Sequence, residues 1–101
     1  MYGKSGALNA KPGKADELAS ILLKAADLVS TLEGCRLYIV GRDVNNDTLI
    51  WVYEVWDSKE NHAKSLQMEE VRALISKAMP LIDSFPDDGA EMNILGGSGI
   101  R

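Results

Sequence analysis

The chain has 101 residues, 46% of them hydrophobic and 26% charged, with a formal net charge of −4; that suits one globular domain spanning 1–101 and excludes the basic surface nucleic acid selects. No apolar run approaches the ~20 residues of a membrane helix, and residues 1–6 (MYGKSG) lack the apolar block of a secretory signal, so a cytoplasmic protein with no membrane partner is expected. One cysteine and one histidine leave no internal disulfide and no zinc or iron–sulfur site built from His and Cys ligands.

Residues 2–10 (YGKSGALNA) read as a weak strand of small residues. The KPGK at 11–14 breaks the chain, and Asp16 and Glu17 suit the N-terminus of a following helix. Leu18, Leu22, Ala25, Val29 and Leu32 recur at 4-3-4-3 spacing with Ala15, Ala19 and Ala26 beside them, one apolar stripe on a helix of about five turns that Gly34 ends. Residues 35–42 (CRLYIVGR) are β-branched and aromatic, hence a strand. The DVNND at 43–47 suits a hairpin loop, and a second strand, TLIWVYEVW, runs from 48 to 56 with an apolar character that predicts burial on both faces. The DSKE at 57–60 fits a capping box, with Asp57 or Ser58 as the cap and Glu60 reaching back. A helical region follows through Ala63, Leu66, Val71, Leu74, Ile75, Ala78 and Met79 until Pro80 kinks or ends it. The SFPDDG at 84–89 is a loop, AEMNIL at 90–95 a last strand, and 96–101, containing GGSG, a flexible end.

The order β-α-β-β-α-β predicts an α+β, ferredoxin-like fold: a four-stranded antiparallel sheet with both helices on one face. The helices then leave the other face of the apolar 48–56 strand uncovered, and the simplest cover is a second copy packed sheet on sheet. A homodimer is therefore expected, forming a dimeric α+β barrel.

Three segments carry a family resemblance: KPGKADEL at 11–18, EGCRLY at 33–38 and, most specific, EVWDSKE at 54–60, a Glu-x-Trp followed by a capped helix. They resemble the antibiotic biosynthesis monooxygenase family, small dimeric α+β barrels that include quinol monooxygenases, over about residues 2–95. The resemblance implies the dimer independently of burial, and an activity that oxidises electron-rich phenols or quinols without metal or flavin. In the quinone-forming type an asparagine stands four residues before the tryptophan, where this chain has Val52; histidines common nine residues after it and near residue 70 are Ser65 and Glu70 here. The haem-degrading branch needs a late second-helix histidine; Ile75 stands near that place and 69–83 contain none, so haem is not expected.

Against that background the candidate site residues each carry two readings. Trp56, matching a tryptophan that lines the substrate cavity in relatives, is either cavity wall or core filler. Glu54 shares its strand face, and a carboxylate inside an apolar strand needs a partner: it is a pocket base or acceptor, or it pairs with Arg36 or Arg42 on the neighbouring strand. His62 is suited to moving a proton near neutral pH, unless the helix turns it to solvent. Asn9 either holds a substrate carbonyl or marks a strand end. Tyr38 and Tyr53 read as wall or dimer residues, and Leu66 and Met79 as further walls of an apolar pocket. The expected function is cofactor-independent monooxygenation of a small aromatic quinol or phenol with O₂. The alternative is a non-catalytic dimer that binds a small ligand or serves as an accessory protein.

Overall fold

The computed structural model describes residues 1–86 and 89–100. Among these, five strands form one antiparallel sheet with the helices on one face, the ferredoxin-like arrangement the pattern predicts. β1 (Tyr2–Ala10) lies in the middle, paired along its length with β3 (Leu49–Trp56), which in turn pairs with β2 (Cys35–Arg42).

The other edge of β1 differs from expectation. Two short strands share it: β4 (Ile82–Ser84) beside Asn9 and Ala10, and β5 (Ala90–Asn93) beside residues 2–5. Pro86 lies between them, and a proline has no N–H to give a ladder at that position. Of the loop expected at 84–89, Asp87 and Asp88 lie outside the described residues.

The helices are also shorter than the apolar spacing implied. α1 (Ala15–Val29) stops before Leu32, which packs against the core from the turn that follows. Gly34 closes that turn at φ +87°, and a Cβ there would sit 2.5 Å from Asn61 Cγ. The single helical region expected after residue 58 is two helices, α2 (Lys59–Ser65) and α3 (Glu69–Ala78). The inward residues explain the break. Ser65 and Val71 are both buried, yet six residues of continuous helix would leave them about 120° apart around the axis. The chain resets its phase through an extended Met68, and Glu69 and Glu70 then occupy the favourable first turn of α3. Ser58 caps α2, accepting the Asn61 N–H at 3.2 Å and donating its hydroxyl to Asn61 Oδ1 at 2.6 Å, so Asn61 rather than Glu60 answers the cap. Pro80 ends α3 in a 3₁₀ turn, Met79–Leu81.

Residues directly opposite in register share a face, which sorts the sheet. Tyr2, Leu8, Ala10, Ile50 and Trp56 point toward the helices and form the core with Leu18, Val29, Val71, Ala78 and Leu81. The other face carries Ile39, Trp51 and Tyr53; Ile39 is 51% exposed and Tyr53 47%. Among the described residues no helix is long and apolar enough to cross a membrane.

Candidate functional site

The helices do not fill the space above the sheet. A cavity of about 220 Å³ lies between the floor residues Leu8, Tyr38 and Glu54, the α1 side chains Ile21, Leu22 and Ala25, and the α3 side chains Leu74 and Ile75. His62, Ser65 and Leu66 wall one side, and Phe85, Met79 and Ile82 another. The amphipathic stripe of α1 thus serves as cavity roof as well as core. An outer pocket of about 360 Å³ shares Leu8, Tyr38, Glu54, His62 and Phe85 with it and continues past Lys4 and Gly89.

Glu54 and His62 meet in this space. Glu54 comes from the even-numbered, helix-facing side of β3; His62 comes from the buried side of α2, one turn past the Ser58 cap. His62 Nε2 lies 3.7 Å from Glu54 Oε1, an ion-pair distance when the imidazole is protonated. Its ring lies between Tyr2, at a centroid distance of 5.7 Å, and Trp56, edge-on at 5.9 Å. Tyr2 is itself fixed, donating its hydroxyl to Glu91 Oε2 at 3.0 Å, and Glu91 pairs with Lys59 at 3.1 Å. Burial and the Glu91 carboxylate push the Tyr2 phenol up to about 12, so it stays protonated.

The electrostatics of the pair run in opposite directions. Burial holds Glu54 above the usual carboxylate range, against the opposing pull of the Trp56 N–H and the Lys4 charge. Burial, reinforced by Lys4 and Lys59, holds His62 below its ordinary value of 6.5, against Glu91. The imidazole is therefore mainly neutral at pH 7 and able to accept a proton. Tyr38, opposite Glu54 in register, is pushed well above the ordinary phenol range by burial and by Glu54, and remains an O–H donor on the cavity floor.

The structure separates the alternative readings of the expected site residues. Trp56 is fully buried and lies behind the cavity wall, where its indole N–H donates to Glu54 Oε1 at 3.1 Å; it orients the carboxylate instead of meeting the ligand space. Asn9 and Tyr53 point to the opposite sheet face. Asn9 Oδ1 accepts from the Thr48 hydroxyl at 2.7 Å, and Tyr53 stacks on Trp51 at 6.4 Å. Strand parity separates both from Glu54. The anticipated arginine partners of Glu54 are engaged elsewhere, Arg36 with Asp57 and Arg42 with Asp16. Tyr38, Leu66 and Met79 do line the cavity. Sequence reasoning missed Lys4, Ser65 and Phe85. The Ser65 hydroxyl donates to the His62 carbonyl oxygen at 2.6 Å, and its spacing of three from His62 was the available signal. Phe85 had none, since it enters from a loop. Among the described residues no three His, Cys, Asp or Glu side chains gather as metal ligands.

A family model described as antibiotic biosynthesis monooxygenase matches residues 1–77. The chain is 38% identical to a solved structure of a candidate antibiotic biosynthesis monooxygenase from Chloroflexus aurantiacus, covering 99% of this chain and 98% of that one at a TM-score of 0.91. It is similar in fold to a further candidate of that description from Deinococcus radiodurans, at 22% identity, coverage of 100% and 99%, and a TM-score of 0.84. The same fold recurs in a variant of SnoaB, a cofactor-independent oxygenase from Streptomyces nogalater, at 12% identity, coverage of 97% and 96%, and a TM-score of 0.81. Among curated proteins no match was found.

Proposed function

The chain belongs to the antibiotic biosynthesis monooxygenase family, and from that premise we propose that it oxidises a small aromatic quinol or phenol with O₂, without a cofactor. The observation that carries this reading is the convergence of Glu54, His62 and Tyr38 on one apolar cavity. An apolar space suits both an aromatic ring and O₂. Neutral His62 takes the phenolic proton, and the Glu54 carboxylate 3.7 Å away stabilises the imidazolium that forms. The phenolate gives one electron to O₂, and the resulting superoxide and aryloxyl radical join at the ring carbon para to the oxygen. Cleavage of the O–O bond then leaves one oxygen atom on that carbon, and the other departs as water with the ring hydrogen and the phenolic proton. The sum is a phenol plus O₂ giving a quinone plus water, with the ring supplying four electrons. The Tyr38 hydroxyl is the donor placed to stabilise the anionic oxygen.

The reading includes a second copy of the chain. Ile39, Trp51 and Tyr53 give the helix-free sheet face a run of large apolar groups, and a matching face covers them with the least unpaired polarity.

Oxygen-electrode assays with a panel of naphthols and anthrones, in buffer containing EDTA, test the activity. Uptake above the uncatalysed rate, with one ¹⁸O atom from labelled O₂ in the quinone, is expected. No uptake with any member, alongside a ligand-induced rise in melting temperature, would replace the enzyme by a non-catalytic binder.

A further inference from the structure

Lys4 is the cation at the mouth of the cavity. It lies directly across β3 from Glu54 and across β5 from Glu91, so its side chain leaves the sheet on the cavity side. It lines the outer pocket together with Tyr38, Glu54 and His62. The nearby carboxylates already have closer partners: Glu91 takes Lys59 at 3.1 Å and Tyr2 at 3.0 Å, and Glu54 takes Trp56 at 3.1 Å. Among the described residues Lys4 forms no ion pair within 4.0 Å. A lysine that is partly buried, faces a ligand space and has Glu54 and Glu91 beyond ion-pair distance and engaged with other donors favours a ligand that brings a closer counter-charge.

We infer that Lys4 sets specificity by selecting aromatic ligands that carry a carboxylate. The inference deepens the proposed function and rests on it for the placement of the ring. The ring fills the apolar inner cavity with its phenolic oxygen toward His62, and the carboxylate stays at the wetter mouth against Lys4. There the anion keeps part of its hydration, so the pair avoids the full desolvation cost of a buried ion pair. A single negative charge fits best, because a doubly charged phosphate would be repelled by Glu54 across the strand.

Isothermal titration calorimetry with two stable probes, 1-hydroxy-2-naphthoate and 1-naphthol, tests this. The acid is expected to bind about tenfold tighter, with added salt weakening the acid alone. Lys4→Met should weaken the acid about tenfold and leave 1-naphthol unchanged, and Lys4→Arg should keep most of the preference; an unchanged melting temperature verifies the fold. Equal affinity for the two probes, equal weakening of both by Lys4→Met, or no binding of either at millimolar concentration would overturn it. Oxygen uptake is read separately. A Lys4-dependent preference with no uptake keeps this inference and removes the oxygenase, whereas uptake with no preference does the reverse.

Discussion

Trp56 and Glu54, two residues apart on one strand face, are joined by an indole N–H to carboxylate hydrogen bond of 3.1 Å. The bond gives a largely buried carboxylate a fixed donor and aims its oxygen toward His62. The Glu-x-Trp of the sequence is thus a single device: the strand period of two puts both side chains on one face, and the indole holds the acid in place.

Trp56→Phe keeps an aromatic ring at this fully buried position, smaller than the indole, and removes that donor. Because the hydrogen bond pulls the Glu54 titration down against the rise caused by burial, its loss should move the titration further up. Leaving a buried acceptor without its donor should also cost about 1–3 kcal/mol. Carboxyl ¹³C chemical shifts against pH check the first effect, and urea denaturation followed through Trp51 checks the second. An unshifted titration would show that the indole merely packs.

His62→Ala should lower quinol oxidation roughly 10²-fold if the imidazole is the base. The pH dependence has a definite sign. The base works unprotonated and its titration lies below 6.5, so the wild-type rate should rise with pH on the acid side and be level by pH 7. Folding responds in the same window. The folded state holds its histidine proton less firmly than the unfolded chain, so the His62 contribution weakens as pH falls from 6.5 through the lower folded value. Rates from pH 5 to 8 and melting curves over the same range test both, and the alanine variant should lose the acid limb of each.

The sequence made β1, β2, β3 and their hairpin legible because turn-forming residues stand beside each and one pattern dominates it, whereas the three residues of β4 carry too short a pattern to read. It concealed the break between α2 and α3, since no proline or glycine marks it; only the six-residue interval from Ser65 to Val71 does, and that interval is visible once both are known to be buried. At the site, Glu54 and His62 stood out as a carboxylate among aromatics and the single histidine of the chain. The partner of Glu54 was hidden because strand adjacency points to Arg36 and Arg42, whereas Asp57 and Asp16 bind them across turns and elements. Tyr53 was separable beforehand, because neighbours on a strand cannot share a face. Lys4 was not separable: its place at the mouth depends on the β1–β3 register, which brings Lys4 opposite Glu54, fifty residues further along the chain.

Gly34→Ala tests the joint between α1 and β2. The backbone there has φ +87°, a region that costs a side-chain-bearing residue of order 1–3 kcal/mol. The added methyl would also stand 2.5 Å from Asn61 Cγ, and Asn61 is the residue that answers the Ser58 cap. Destabilisation should therefore extend to α2 and to His62 on it. Urea denaturation should show the loss, and amide exchange at 59–65 should quicken more than at α3. A variant as stable as the parent would mean the turn can rearrange without disturbing the cap.

Ile39→Lys addresses the uncovered sheet face. Ile39 pairs with Tyr53 across β2 and β3, and Trp51 stacks beside Tyr53, so the substitution puts a charge at the middle of the apolar run without touching the helix-facing core. If two copies press these faces together, the chain of 11.0 kDa should sediment as a species of about twice that mass, because a C2 interface repeats the same patch on both subunits. The variant then places two lysines in a desolvated interface, and charge burial of that kind is costly enough to dissociate the pair. Sedimentation velocity at micromolar concentration should show the dimer for the parent and the 11.0 kDa species for Ile39→Lys. Because the face lies on the far side of the sheet from the cavity, ligand affinity in the dissociated variant separates two roles for the second copy. Retained affinity means that each cavity is complete in one chain, and lost affinity means that pairing holds the sheet in the curvature the cavity requires. A parent protein that sediments as a folded single chain would remove the interface and leave Ile39, Trp51 and Tyr53 as an open apolar surface.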